Sequence, residues 1–167
     1  IAPHPFSYEK HFTNAPGWAD AAIKLPWLMY VNYGDNEIIA DHFESYERYI
    51  ENIRKNNPDL IWRSGLGLNY GDWLNGNTLN AEGFPKTGAQ IPSEVFSTIM
   101  FFNSVNTLSK MAAVLGRNEK AAYYSALAAR IKSAFSEHFV KADGTIEGDA
   151  QSCYAMALYY EIYPKEL

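Results

Sequence analysis

Two short strings set a tryptophan and an aspartate together beside a glycine: "GWAD" at residues 17–20 and "GDW" at residues 71–73. A carboxylate accepts hydrogen bonds from sugar hydroxyls, and an indole face packs on the apolar C–H side of a sugar ring. The pairing is therefore what a carbohydrate subsite requires. Each residue also has a plainer reading. Asp20 suits the first turn of a helix, where the dipole favours an acid, Asp72 suits a turn, and Trp73 could plug a core.

Other chemistries find less support. His4, His11, His42 and His138 show no metal-ligand spacing, so no metal site is expected, and no motif calls for a cofactor. Cys153 has no histidine near it in sequence and lies in an apolar run, the setting of an inert core thiol. The glycine-rich "SGLGLNYG" has neither the lysine nor the strand and helix context of a phosphate-cradling loop. Glu94 is a third acid near a helix start, placed either to cap or to face a pocket.

The chain has 167 residues, about one domain, with a net charge of -5 and its Lys and Arg scattered. A phosphate backbone needs a concentrated basic face, so nucleic acid is not an expected partner. No apolar run approaches the ~18 residues of a membrane helix, and no basic-then-apolar leader stands at Ile1, so a soluble domain without a membrane partner is expected. A lone cysteine forms no internal disulfide and leaves the compartment open. Aromatic residues make up 15% of the chain, suiting either a large helical core or the walls of a pocket for a ring-shaped ligand.

The elements that must position these residues follow from periodicity. Residues 1–16 carry Pro3, Pro5 and Pro16 without a sustained period and read as an irregular lead-in. From Gly17, "WADAAIKLPWLMYVNYG" is apolar almost all round, which predicts a buried helix with a kink or restart at Pro26 and Gly34 as C-cap. Asp35 then caps an amphipathic helix whose stripe is Ile39, Phe43, Tyr46, Ile50 and Ile53, ended by Asn56, Asn57 and Pro58. Residues 59–92 hold six glycines and no clean period, yet too many apolar side chains for a disordered linker. This loop is expected to pack over something.

Ser93 opens a second inner helix closed by Gly116, and Asn118 caps a second outer one with Tyr124, Ala128, Ile131 and Phe135 on its stripe. "KADGT" is a turn, and "AQSCYAMALYYEIY" is a last apolar helix ending before Pro164. Inner and outer helices alternate. Two concentric layers of antiparallel helical hairpins produce that order, because inner helices touch neighbours on both sides. The expected fold is all-α, and the loops at one end of the inner helices form a pocket rim.

The strings "PGWADAAIKLPWLMYVNYGDNEII", "GDWL", "IPSEVFSTIMFFNSVNTLSKMAAVLGRNEKAAYYSALAARIKSAF" and "AQSCYAMAL", in this order and spacing, resemble the catalytic domain of bacterial α-L-rhamnosidases, glycoside hydrolase family 78. The resemblance covers residues 16–167. It implies a partial (α/α)6 toroid at residues 17–167, about five of twelve helices, with a rhamnose-containing glycan or glycoside as substrate. It also implies that the general acid and general base of an inverting mechanism lie outside this chain, leaving no catalytic residue within it. By motif, Trp18 and Trp73 become ring-packing walls, and Asp20 and Asp72 hydroxyl acceptors or orienters.

Half a toroid would leave inner-helix faces bare, so self-association is expected. The competing readings are another six-hairpin glycosidase or lyase acting on an acidic sugar, and a non-catalytic helical interaction module. Only Arg63 and Lys86 in the long loop could clamp a uronate carboxylate, which argues against the first.

Overall fold

The computed structural model describes residues 14–67, 69–73, 75, 81–83 and 89–164, so residues 1–13 of the lead-in expected at 1–16, part of the long loop including Lys86, and residues 165–167 lie outside the described residues. Five helices follow in chain order: α1 (Ala21–Tyr33), α2 (Glu37–Asn56), α3 (Ser93–Val114), α4 (Asn118–Phe139) and α5 (Gln151–Tyr159). The described residues contain no β-strand, only an isolated antiparallel bridge between Val140 and Ile146 that closes the turn before α5. The fold is all-α, and the expected alternation is present: α3 packs against α1, α2, α4 and α5.

Composition explains which helix lies where. In α3, 14 of 22 residues are buried, as expected of a rod with neighbours on both sides. Helix α2 buries Ile39, Phe43, Tyr46, Tyr49, Ile50 and Ile53, the predicted stripe plus Tyr49. Helix α4 buries Tyr124, Leu127, Ala128, Ile131, Phe135 and Phe139. The two outer helices are joined at their surfaces, where Glu47 accepts from Lys120 Nζ at 2.6 Å and from the Tyr124 hydroxyl at 2.9 Å.

Helix α1 departs from expectation in three ways. It starts at Ala21, because residues 15–20 form overlapping turns in which Ala15 O accepts from the Trp18 and Ala19 N–H groups. It runs through Pro26 without a restart, the buried proline ring lying within the helix. It is also not buried all round: Leu25, Val31 and Tyr33 are 60%, 58% and 78% exposed. Gly34 does cap it, at φ 74° with its N–H on Tyr30 O. Asp35 caps α2 from just outside, accepting the Glu37 N–H at 2.9 Å.

The long loop is anchored at its start by Asn57, which is buried. Its Oδ1 accepts from the backbone N–H groups of Arg63 and Ser64, and its Nδ2 donates to Ile53 O and Ser64 O. Trp62, 1% exposed, then inserts between Tyr49 and Phe101 with ring centroids 6.5 and 6.3 Å away. Its backbone N–H donates to Thr98 Oγ1 at 3.0 Å, and its carbonyl accepts from the Ser97 hydroxyl. Thr98, a polar residue buried in α3, thereby gains its partner.

Candidate functional site

The N-terminal ends of the inner helices α1, α3 and α5 meet the loop at residues 69–73, through Trp18 against Tyr70, Ser93 with Asn69 and Ser152 with Asp72. Trp18, on the turn before α1, is 44% exposed, and Trp73 is 52% exposed. Tyr70 stands between them, its ring 5.9 Å from Trp18 and 5.6 Å from Trp73, edge-on to the latter at 82°. With Pro16, Asp72 and Phe96 these three rings line a cleft of about 490 Å³. Gly17, at φ 80°, lets the Trp18 turn lie on Phe96: a Cβ there would be 3.1 Å from Phe96 Cζ. Large aromatic rings left open to solvent in a chain with an ample core are the part of this cleft that can receive an apolar ring face.

Asp72 lies behind the rings with both oxygens occupied. Oδ1 accepts from the backbone N–H groups of Gln90 at 2.7 Å and Ile91 at 3.0 Å. Oδ2 accepts from Asn75 Nδ2 at 2.6 Å and from the Ser152 hydroxyl of α5 at 2.8 Å. Burial raises this carboxyl, but the bonds from Ile91, Ser152, Asn75 and Gln90 outweigh it and leave it below the usual carboxylate range. Four donors fill the acceptor capacity of a carboxylate.

Asp20 has the opposite character. It is 4% exposed and does not line the cleft; its Oδ1 is buried without a hydrogen-bond partner among the described residues. Burial pushes its carboxyl above the usual range, with backbone N–H groups of Asp20 and Gly17 and the charge of Lys24 opposing. The Tyr49 hydroxyl, also buried and without a hydrogen-bond partner among the described residues, is raised by burial and then by the Asp20 charge. Of the four residues singled out in the sequence, Trp18, Asp72 and Trp73 thus share one cleft, and Asp20 is buried and outside its lining.

Sequence reasoning did not single out Tyr70, Phe96, Asn75 or Ser152. Tyr70 carried a signal, standing two residues from Asp72 and three from Trp73; Ser152, 80 residues from Asp72, carried none. Glu94 does not cap α3: its carboxylate accepts from Arg63 Nε at 3.3 Å, and Arg63 also pairs with Asp59. Cys153 is buried, and burial raises its thiol. Among the described residues no group of three or more His, Cys, Asp or Glu could hold a metal ion, and no helix is long and apolar enough to cross a membrane.

Inner and outer helices in alternation, with an aromatic cleft where the inner N-termini meet a long loop, define the class as an all-α domain of layered helical hairpins. The chain belongs to the bacterial α-L-rhamnosidase 6 hairpin glycosidase domain family, whose model matches residues 1–167. It is similar to an α-L-rhamnosidase of Streptomyces avermitilis, at 34% identity over 90% of this chain and 13% of that protein. A second α-L-rhamnosidase, of an Alteromonas species, is 32% identical over 89% of this chain and 16% of the relative. The crystal structure of the Streptomyces avermitilis α-L-rhamnosidase complexed with L-rhamnose superposes with a TM-score of 0.77 at 32% identity, covering 92% of this chain and 13% of that one. The chain therefore spans less than a fifth of the length of these relatives.

Proposed function

We propose that this chain is the sugar-holding part of an α-L-rhamnosidase that hydrolyses terminal α-linked L-rhamnose with inversion. The observation that carries this reading is the wall of Trp18, Tyr70 and Trp73 at the inner-helix ends, in a chain of a rhamnosidase family. Trp18 and Trp73 pack on the apolar side of the sugar ring, while Asp72, saturated by protein donors, and Asp20, buried, orient the wall from behind. Inversion needs an acid on the leaving oxygen and a base on an attacking water. Those two groups come from parts of the protein outside these residues, so the isolated 167-residue chain is inactive.

Full-length protein should release nitrophenol from nitrophenyl α-L-rhamnoside, with KM raised about tenfold or more in Trp73→Ala, the scale of one lost ring-stacking contact. Turnover by the isolated chain, abolished in Trp73→Ala, would overturn the division of labour. Full-length turnover of a glucuronide instead of the rhamnoside would overturn the substrate.

The bare side of α1 belongs to the same reading. A groove of about 430 Å³ between α1 and α2, lined by Ala22, Leu25, Pro26, Ile38 and Tyr46 among others, offers apolar surface with few polar groups. In the full protein a neighbouring hairpin covers it, and in the isolated chain a second copy does. Light scattering that finds a monomer at high concentration would count against that.

A further inference from the structure

We propose that Ser152, on the first turn of α5, is a positioning residue for the aromatic wall and acts through Asp72. Three segments far apart in sequence are locked together at this point. The loop turn approaches the lead-in to α3 so closely that a Cβ on Gly71 would be 2.5 Å from Ala89 Cβ and 2.9 Å from Ile91 Cγ2. The lead-in to α5 also approaches this strip, where a Cβ on Gly148 would be 2.4 Å from Pro92 Cδ. Gly148 and Asp149 both have left-handed backbones, at φ 87° and 44°, so the chain turns sharply here and enters α5 directly. Asp72 joins the three: Oδ1 holds the α3 lead-in through Gln90 and Ile91, and Oδ2 holds α5 through Ser152.

The consequence for the site is geometric. Trp73 follows Asp72 in the chain and Tyr70 stands two residues before it, so the carboxylate that fixes the turn also fixes both rings. Ser152 supplies the sole described bond from α5 to that carboxylate, a hydrogen bond to an ionised group and hence among the stronger kinds. The α5 end is firm, because Ala150 and Cys153 on either side of Ser152 are 1% and 0% exposed. Without the hydroxyl, Oδ2 keeps only Asn75, which belongs to the same loop and moves with it. The carboxylate is then tied to the α3 lead-in and to its own loop, with no bond to α5, and the rings gain freedom.

The inference rests on the sugar-binding reading of the wall, and its test separates the two. Full-length protein labelled with 5-fluorotryptophan is compared as wild type, Ser152→Ala and Ser152→Thr, with the Trp73 resonance assigned by Trp73→Phe. Ser152→Ala is expected to shift or broaden the Trp73 fluorine signal. It should also raise KM for nitrophenyl α-L-rhamnoside about threefold or more with kcat within about twofold, on the scale of a lost charged hydrogen bond felt indirectly. Ser152→Thr, which keeps the hydroxyl, should restore both. A Trp73 signal unchanged in Ser152→Ala overturns the inference whatever KM does, and so does equal loss in the alanine and threonine variants. If wild type fails to turn over the rhamnoside, the functional reading falls, and the fluorine signal still decides the role of Ser152.

Discussion

Gly71 lies against Ala89 with no room for a side chain: a Cβ placed on the glycine would sit 2.5 Å from the alanine Cβ, at a backbone φ of 54°. Two separate costs fall on any substitution there, the left-handed backbone and the overlap with Ala89 and Ile91. Gly71→Ala should destabilise the protein by about 2 kcal/mol or more and loosen Asp72 from Gln90 and Ile91. Chemical denaturation measures the first effect, and faster amide exchange at residues 90 and 91 reports the second.

The tryptophans should divide by role. Trp62, 1% exposed between Tyr49 and Phe101, is structural, and Trp62→Ala should cost about 3–5 kcal/mol of stability. Trp73, half exposed, should cost under about 1 kcal/mol when changed to alanine and yet remove most rhamnose affinity. Denaturation curves and rhamnose titrations of the two variants, measured side by side, check the inversion of effects.

Asp20 makes stability fall with rising pH. Its folded carboxyl is raised above the ordinary value of 3.8, so the fold holds the proton after the unfolded chain has released it. Below 3.8 both states are protonated and the penalty is absent; it grows as pH climbs through the raised folded value. Asp20→Asn should therefore be more stable than wild type near pH 7 and lose that advantage near pH 3. An advantage independent of pH would show that the carboxylate charge is not the cause.

Asp72 has the opposite sign. Its folded carboxyl lies below 3.8, so its contribution is present above that value and is lost as pH falls toward the folded value. Wild type should exceed Asp72→Asn in stability at pH 7, and the gap should narrow by pH 3. Paired urea titrations at the two pH values measure it.

The helices were legible in the sequence because each follows from local pattern. The stripe Ile39, Phe43, Tyr46, Ile50, Ile53 recurs at helical spacing and is buried as a set, and Gly34 ends α1 where its freedom of φ is needed. The start of α1 was less legible, since the turns at residues 15–20 use the same short-range hydrogen bonds as a helix and differ only in pitch. The "GWAD" and "GDW" strings meet at one cleft in the fold, but they could not rank their own members. Asp20 and Trp18 are two residues apart, and one is buried while the other is exposed.

By itself the sequence determined the element types, the inner and outer alternation and the family, all of which are written in residues within a few turns of one another or in the order of strings. Tertiary structure alone decided what each acid does. Asp72 is saturated because Gln90, Ile91 and Ser152 arrive from 18 to 80 residues away, and Asp20 has one oxygen without a partner among the described residues because the turn folds it inward toward Tyr49. Hydrogen bonding and burial depend on which distant segments meet, and spacing along a chain carries no record of that.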